Sequence, residues 1–223
     1  MENRTLSLLG EDSFNKLKTA KVLIVGIGGV GGYVAEILAR SFVGKIIIVD
    51  GDVVELSNCN RQLVALRSTL GQFKVDVLEK RMKDINPECE VKKYNIRFNK
   101  STQDEIFKED FDYIVDAIDS VNDKVALILK AKRESKYIIS AMGAGNRIDL
   151  NKFVIEDIYK TSNDRLARKL RGLLRKESVE NLDVCYSRDI PDVVSSRTLS
   201  IAHNPACMGI TIAAHVINLI IKS

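Results

Sequence analysis

The sequence has few of the residues that build zinc sites and disulfide scaffolds. Only four of its 223 residues are cysteine, and no two of them form a Cys-x-x-Cys pair. Structural zinc sites and small disulfide scaffolds depend on cysteines at short, regular spacing. The pattern argues against both and favours a protein of the reducing cytoplasm. His203 and His215 have no cysteine or carboxylate at motif spacing, so we assign neither to catalysis.

Long hydrophobic runs and a strong excess of one charge are also missing. The formal net charge of +4 is too small by itself to indicate a nucleic-acid partner. The most apolar late stretch, Met208 to Ile221, is shorter than the roughly 20 residues that span a bilayer. We therefore expect a buried or interface helix there and no membrane association. No signal-peptide pattern precedes the first strand.

The most informative stretch is a strand, a glycine turn and a helix. It covers residues 21–40 and reads KVLIVGIGGVGGYVAEILAR. Gly26, Gly28 and Gly31 satisfy G-x-G-x-x-G, in which the glycines permit a tight turn, backbone approach to a phosphate and close helix packing. With Gly29 between them, they predict a phosphate-binding turn at a helix N-terminus.

Strands and helices alternate along most of the chain, which predicts an α/β fold with a Rossmann-like, doubly wound, mostly parallel sheet. The chain after residue 150 breaks this rhythm. The pattern there predicts a strand at 153–155, a basic helix at 163–176, an irregular loop at 187–204 and an apolar helix at 206–221. We divide the chain loosely into a nucleotide-binding core, 1–150, and an extension, 151–223, and expect one folding unit because the extension is too small to form its own core.

Polar side chains crowd the segment that follows the second strand, KIIIVD. Its last residue, Asp50, occupies the position at which such folds hold ribose hydroxyls. Cations and amides near a bound polyphosphate suit phosphoryl or nucleotidyl transfer, because they neutralise and orient the phosphates. A dehydrogenase needs no such set. The candidate nucleotide-binding residues are Asp50, Asp52, Asn58, Arg61, Gln62 and Lys74.

Two carboxylates end the later strand FDYIVDAID. Asp116 and Asp119 lie where the strand leaves the sheet, at the edge where open α/β sheets bind ligands. Mg²⁺ in such sites takes one or two carboxylates together with phosphate oxygens and water. A carboxylate at this edge is therefore a candidate Mg²⁺ ligand.

Six motifs occur in the order typical of one enzyme superfamily. They lie between residues 21 and 145 and read GIGGVGG, DGD, LSNCNRQ, GQFK, INPE and DAIDS. Together they resemble the HesA/MoeB/ThiF superfamily, relatives of the ubiquitin-activating enzymes. The resemblance implies an ATP- and Mg²⁺-dependent enzyme that adenylates a carboxylate, with pyrophosphate as the leaving group. Homodimers are usual in this superfamily, so the resemblance also implies a homodimer.

The resemblance also implies roles for single residues. Gly28 and its neighbours would hold phosphate, and Asp50 would hold the ribose. Asn58, Arg61 and Lys74 would bind the phosphates, and Asp119 would hold Mg²⁺. In this superfamily an arginine near the N-terminus often enters the partner subunit's active site. Arg4 is the candidate for that role, and a plain surface arginine is the alternative.

The branch of the superfamily is indicated by the extension. Adenylyltransferases that act on the C-terminal glycine of a ubiquitin-like sulfur carrier typically hold zinc through two Cys-x-x-Cys pairs, which this sequence lacks. The segment EDIYKTSNDRLARKLRGLLRK and the leader RTLSLLGED look instead like the bacterial tRNA threonylcarbamoyladenosine dehydratases. That branch implies adenylation and cyclising dehydration of threonylcarbamoyladenosine at position 37 of tRNA.

Three other functions stay as alternatives. The first is the sulfur-carrier adenylyltransferase, which a carrier-dependent pyrophosphate exchange would reveal. The second is a catalytically idle nucleotide-binding scaffold, and the third is a nicotinamide-dependent oxidoreductase, whose signature would be binding of NAD in preference to ATP. The resemblance leaves open whether a sulfur-transfer protein assists as a partner.

The basic helix of the extension is the candidate tRNA-binding element. Leu166, Leu170 and Leu173 recur at helical spacing and predict its apolar stripe. Its cations fit either a solvated surface helix or a ridge that contacts tRNA phosphates. With the resemblance we favour the ridge, which consists of Arg165, Arg168, Lys169, Arg171, Arg175 and Lys176.

Two cysteines lie near the candidate site. We expect Cys59 to be a buried small hydrophobe and not a nucleophile. Cys185 lies beside the 187–204 loop and would be the candidate for a thioester if the protein handled sulfur.

Overall fold

The computed structural model describes residues 2–148, 152–193, 195 and 198–223, with the side chains from Arg4 onward. The strands are β1 (Lys21–Val25), β2 (Lys45–Val49), β3 (Glu90–Tyr94), β4 (Tyr113–Asp116), β5 (Tyr137–Ala141), β6 (Phe153–Asp157) and β7 (Asp183–Ser187). The α-helices are α1 (Glu2–Leu9), α2 (Glu11–Thr19), α3 (Gly31–Arg40), α4 (Lys74–Ile85), α5 (Gln103–Ile106), α6 (Val121–Arg133), α7 (Arg165–Lys176) and α8 (His203–Lys222).

The strands form one seven-stranded sheet in the order β3-β2-β1-β4-β5-β7-β6. All neighbouring pairs are parallel except β6 with β7. The chain winds outward from β1 in one direction through β2 and β3, and in the other through β4 and β5. The sheet therefore has its topological switch point between β1 and β4, where open α/β sheets bind ligands at the carboxyl ends of the strands.

The central strands are buried on both faces, as the apolar runs in the sequence predict for a parallel sheet. Ile24 of β1 belongs to the cluster that α3, α4 and α8 cover. Its neighbour Leu23 belongs to the opposite cluster, covered by α6 and α7. The predicted doubly wound α/β fold is confirmed.

The extension completes the same sheet. The predicted strand near residue 153 is β6, and it pairs with β7, which in turn pairs with β5. The sequence analysis missed β7. The proposed boundary at residue 150 and positions 194, 196 and 197 of the predicted loop lie outside the described residues. The predicted loop overlaps its neighbours at both ends, because Ser187 is the last residue of β7 and residues 203 and 204 belong to α8. Its other described residues contain neither helix nor strand.

Helix α8 is longer than predicted. It has 20 residues and begins at His203 rather than at residue 206. By length and composition alone it would suffice to cross a membrane, contrary to the prediction that this stretch is too short. In the fold, however, Met208, Ile212 and Val216 are fully buried in the cluster that includes Leu38 of α3. The helix is thus a core helix, as expected.

Candidate functional site

The glycine turn after β1 is fixed by its packing. Gly26 has φ +92°, and a β-carbon there would lie 2.6 Å from the carbonyl oxygen of Ala117, just beyond β4. A β-carbon at Gly31, the first residue of α3, would lie 1.9 Å from the carbonyl oxygen of Gly26. Only glycine fits these two positions.

Gly28 is a glycine for a different reason. A β-carbon added there would meet only Gln62 Nε2, at 3.9 Å, so the fold has room for a side chain at this position. A side chain would instead cover the backbone that the turn presents at the switch point. Gly29 is more crowded, since a β-carbon would lie 3.2 Å from Pro205 and 3.5 Å from Arg61 Cγ. This geometry fits a backbone surface that a phosphate approaches.

Asp50 closes β2 and braces the turn. Its Oδ2 accepts a hydrogen bond from the backbone N–H of Ile27 at 2.6 Å, and its Oδ1 accepts one from Asp52 N at 2.8 Å. Burial raises the pKa of Asp50, and the charge of Lys74 opposes that shift. The carboxylate therefore serves the protein's own backbone as well as lying beside the turn, where the ribose role stays a prediction.

Lys74 is tied to the same region by a short ion pair. It is the first residue of α4 and only 5 % exposed. Its Nζ donates to Asp52 Oδ2 at 2.8 Å, and its backbone N–H donates to the carbonyl oxygen of Asp52 at 3.0 Å. Because Asp52 bonds to Asp50 and Asp50 bonds to the turn, these contacts hold the Lys74 ammonium close to the proposed phosphate site.

Arg61 and Gln62 come from the loop between β2 and α4. Arg61 is half-buried, and its Nη1 donates to Ser57 O at 3.0 Å and to Asn60 Oδ1 at 2.8 Å. Gln62 is 9 % exposed, and its buried Oε1 has no hydrogen-bond partner among the described residues. A buried amide oxygen without a partner is unfavourable.

Asn58 occupies the same loop but already makes its own contacts. It is buried, its Oδ1 accepts from Glu55 N at 3.1 Å, and its Nδ2 donates to Ser57 Oγ at 3.2 Å. These bonds stabilise the one-turn 3-10 helix Leu56–Asn58, which precedes Arg61. Its predicted direct contact with phosphate stays a prediction.

Asp119 and Asp116 have opposite environments. Asp119 is exposed and has no hydrogen bond or ion pair within the part of the chain that the structure describes. It lies two residues after Ala117, whose carbonyl oxygen leaves no room for a β-carbon at Gly26, so the segment that carries Asp119 starts beside the turn. Its role as a metal ligand stays a prediction. Asp116 is fully buried, and its Oδ2 lies 2.8 Å from Lys124 Nζ. It is therefore not available as a metal ligand.

Lys124 is a residue that sequence analysis missed. Its side chain is completely buried, and besides Asp116 it contacts the carbonyl oxygen of Ala141 at 3.1 Å. Asp116 in turn accepts hydrogen bonds from Ser140 Oγ at 2.7 Å and from Ile118 N at 3.1 Å. The pair thus fixes the segment that carries Asp119. The sequence did contain one indication that Lys124 is buried: two apolar side chains of α6 that are themselves buried follow it by three and four residues.

Arg4 lies on α1 and is exposed. No hydrogen bond or ion pair connects it to the glycine turn in the residues that are described. Its predicted action in a partner subunit therefore stays a prediction.

Helix α7 begins at the same edge of the sheet. Its N-cap, Asp164, accepts from Ala167 N at 2.8 Å and from Gly143 N, just beyond β5, at 2.9 Å. The helix buries Ala167, Leu170 and Leu174. The predicted apolar stripe was therefore wrong in part. Leu166 and Leu173 are only half-buried and lie beside the line of buried residues.

The six predicted tRNA-binding cations fall into three groups. Arg171 is half-buried, and its Nη1 donates to Thr161 O at 3.0 Å and also to Thr161 Oγ1, so it stabilises the preceding turn. Arg175 lies over the ring of Tyr159, with 5.3 Å between its guanidinium carbon and the ring centroid. The others are exposed and form no ion pair with a described carboxylate; they are Arg165, Arg168, Lys169 and Lys176.

Of the two cysteines near the site, only Cys59 differs from expectation. Cys59 is exposed, so the prediction of a buried side chain was wrong. Cys185 lies in β7 and is fully buried, and burial raises the pKa of its thiol far above the ordinary value. A buried, protonated thiol is a poor nucleophile, which argues against a thioester there.

Comparison with known proteins places this architecture in a family. The profile described as the ThiF family matches residues 2–223. The chain belongs to the ThiF family. The resemblance drawn from the six motifs is confirmed, and the match extends through the extension.

Individual ThiF-family relatives are also similar. The tRNA threonylcarbamoyladenosine dehydratase of Bacillus subtilis is 42 % identical over 187 residues, which are 83 % of this chain and 74 % of that protein. The Escherichia coli enzyme of the same name is 38 % identical over 173 residues, which are 78 % of this chain and 65 % of that protein.

The fold is also that of a solved ThiF-family structure. The crystal structure of the E. coli tRNA N6-threonylcarbamoyladenosine dehydratase in complex with ATP superposes with a TM-score of 0.93 and 32 % identity. The similarity covers 99 % of this chain and 93 % of that one.

Proposed function

We propose that this ThiF-family protein uses ATP to adenylate and cyclise the threonylcarbamoyl group of threonylcarbamoyladenosine at position 37 of tRNA. The observation that carries the proposal is the glycine turn at the switch point, against which Arg61 packs and to which Lys74 is linked through Asp52 and Asp50. The similarity over nearly the whole fold to a relative crystallised with ATP supports it.

The proposed reaction has two steps. A carboxylate oxygen of the substrate attacks the α-phosphorus of ATP, the bond to the β-phosphate oxygen breaks, and pyrophosphate leaves. The carbamoyl group of the same side chain then attacks the activated carbonyl and expels AMP. The sum is ATP consumed to AMP and pyrophosphate, with the equivalent of one water lost from the nucleoside. Because the second nucleophile is part of the substrate, the buried Cys185 is not needed.

The protein's own residues bind and orient. Arg61, whose side-chain stem packs against Gly29, and Lys74, which pairs with Asp52, would offset the negative charge of the phosphates. Gln62 lies beside Gly28, with its Nε2 3.9 Å from where a β-carbon would be, and would line the nucleotide site. Asp119 supplies one carboxylate for Mg²⁺, whose remaining ligands in such sites are phosphate oxygens and water. The ion would neutralise phosphate charge.

The reaction is tested directly with modified tRNA. Purified protein, ATP and Mg²⁺ are incubated with tRNA that carries threonylcarbamoyladenosine, and the digested nucleosides are analysed by mass spectrometry. We expect a nucleoside lighter by one water, formed together with AMP. Folded protein that binds ATP but forms no such product would exclude the tRNA assignment. Pyrophosphate exchange that depends on a ubiquitin-like carrier would favour the alternative adenylyltransferase.

The five exposed cations of α7 support tRNA as the substrate, because no described carboxylate neutralises them. We expect Arg165, Arg168 and Lys169, replaced together by alanine, to make the dependence of log K on log salt shallower by about three, provided that each contacts one phosphate. ATP affinity should stay unchanged, since the α7 surface does not include the glycine turn.

The matched control removes the same charge elsewhere. Lys80, Lys100 and Lys108 are exposed lysines without an ion pair in the described part of the chain. Their joint replacement by alanine lowers the net charge equally but should leave the salt slope nearly as in the wild type. Equal slopes for both triple variants would mean that α7 acts only through the overall charge.

We also propose that the protein is a homodimer in which Arg4 completes the partner's site. If so, the separately inactive variants Arg4→Ala and Lys74→Ala should regain activity when mixed. Random exchange of subunits would restore about a quarter of the wild-type rate, because half of the dimers are mixed and each has one intact site. If dimers that exchange subunits recover no activity, Arg4 does not complete the partner's site and is a plain surface arginine. The cytoplasmic location and a sulfur-transfer partner stay predictions.

A further inference from the structure

Gly172 occupies the middle of the exposed face of α7, where nothing in the fold requires glycine. Its φ is not positive, and a β-carbon built on it would meet no atom within 4 Å. Gly26 and Gly31, in contrast, have backbone atoms where a side chain would lie. Glycine is one of the weakest helix formers, so an interior helical glycine without a packing reason points to a role outside the fold.

Four cations surround Gly172 on the helix surface. Arg168 and Lys169 precede it by four and three residues, and Arg175 and Lys176 follow it by three and four, the spacings at which helical side chains are neighbours. All four are exposed. The missing side chain at the centre therefore leaves a gap in the basic face, open to solvent and lined by positive charge.

This basic face is not neutralised by the protein. Helix α7 contains no acidic residue, and the four flanking cations form no ion pair with a carboxylate in the described ranges. Other helices behave differently: Lys83 of α4 pairs with Glu79 at 2.8 Å, and Lys130 of α6 pairs with Glu134 at 2.7 Å. Arg175 lies over the ring of Tyr159, but like the other three it has no described carboxylate as a partner. Four cations without a counter-charge fit a polyanionic ligand better than they fit a solvated helix surface.

We propose that the gap at Gly172 seats one phosphodiester group of the tRNA backbone directly against α7. This inference rests on the proposed tRNA substrate and adds the position at which the backbone touches the protein. Without a β-carbon, a phosphate comes closer to the helix and to all four cations, and Coulomb attraction rises as distance falls. Gly172 follows the N-cap Asp164 by eight residues, which places it about 12 Å along the helix from the ATP edge of the sheet.

Substitutions at Gly172 separate this seat from a structural role. Gly172→Ala should raise the melting temperature by about 2 °C, because alanine favours the helix and its side chain has space. The same change should weaken tRNA binding about threefold, and Gly172→Leu, which fills the gap, about tenfold or more. ATP affinity should be unchanged in both.

Two further variants sharpen the test. Gly172→Lys adds a cation, so a helix that attracts tRNA only by its total charge would bind more tightly, whereas an occupied seat predicts weaker binding. Asn15→Leu, an exposed and uncharged position of α2, controls for an added apolar side chain and should bind tRNA as the wild type does.

Each outcome decides between the two proposals. Wild-type affinity in Gly172→Ala and Gly172→Leu, or tighter binding by Gly172→Lys, would overturn the seat while leaving the tRNA substrate intact. A wild-type protein with no salt-dependent affinity for tRNA would overturn both. Weaker binding in the glycine variants, with raised thermal stability for alanine, supports the seat, because a purely structural glycine would not lose affinity on stabilisation.

Discussion

Replacing Lys124 by methionine removes one half of the buried ion pair beneath the candidate site. The ammonium is fully buried, lies 2.8 Å from Asp116 Oδ2, and also contacts the carbonyl oxygen of Ala141. Without it, the Asp116 carboxylate keeps its hydrogen bonds from Ser140 and Ile118 but has no counter-charge in a site closed to water. Breaking such a pair from one side typically lowers the free energy of unfolding by about 3–5 kcal/mol.

The expected loss is large enough to measure in two ways. For a chain of this length, about 2–4 °C of melting temperature corresponds to 1 kcal/mol, so Lys124→Met should melt roughly 10 °C below the wild type. Urea denaturation followed by circular dichroism gives the free energy directly. Lys130→Met is the control on the same helix, because the side chains of its partners Asp104 and Glu134 are 72 % and 36 % exposed, and exposed pairs contribute under about 1 kcal/mol each.

The double variant tests the reason for the loss. Asp116→Asn combined with Lys124→Met leaves no unpaired buried charge, so it should be more stable than Lys124→Met alone. The double-mutant cycle should give a coupling energy of about 2 kcal/mol or more. A Lys124→Met variant within about 1 kcal/mol of the wild type, or strictly additive effects, would refute the reasoning.

Three further predictions follow from the site and the sheet. Asp119→Ala should abolish ATP-dependent turnover without changing the melting temperature, since the side chain is exposed; unchanged turnover would mean that the metal site lies elsewhere. Gly28→Ala should fold normally and bind ATP more weakly, whereas Gly31→Ala should be destabilised by the clash with the turn; calorimetry and thermal melts distinguish them. Hydrogen bonds, above all from Lys92, lower the pKa of Glu109 to about 2. Its stabilisation is therefore present above about pH 5 and lost as the pH falls toward 2, so the stability difference between the wild type and Glu109→Gln should shrink between about pH 7 and pH 3.

The parts of the fold that local sequence determines were predictable. The apolar run of β1 and the glycines behind it define a strand, a turn and a helix within 20 residues. Strand β7 was not predictable in this way. Its first and last residues, Asp183 and Ser187, are polar, and the three residues between them are too few to form a recognisable apolar run. Its extended form depends on pairing with β5 and β6. Such a strand is determined by its neighbours and not by its own pattern.

The candidate site divides along the same line. The sequence predicts the glycine turn from its own motif. It predicts Arg61, Lys74 and Asp119 as site residues from spaced motifs that lie in the loop after β2, at the start of α4 and just beyond β4. It does not predict that Asp116 is withdrawn from the surface by Lys124, since the two residues are eight apart and meet only when α6 packs on the sheet.

The cations of this protein show why residue type alone does not identify a binding site. Lys124 and Arg171 have the same formal charge as Arg168 and Lys169. The first two, however, donate hydrogen bonds to backbone and carboxylate oxygens inside the fold. Lys124 or Arg171 could bind a ligand only if those internal contacts broke. Substitution of either residue should therefore alter stability first. The exposed pair has no such contacts to lose, and its substitution should alter affinity first. The ratio of these two effects, measured variant by variant, separates the cations that hold the fold from those that meet the substrate.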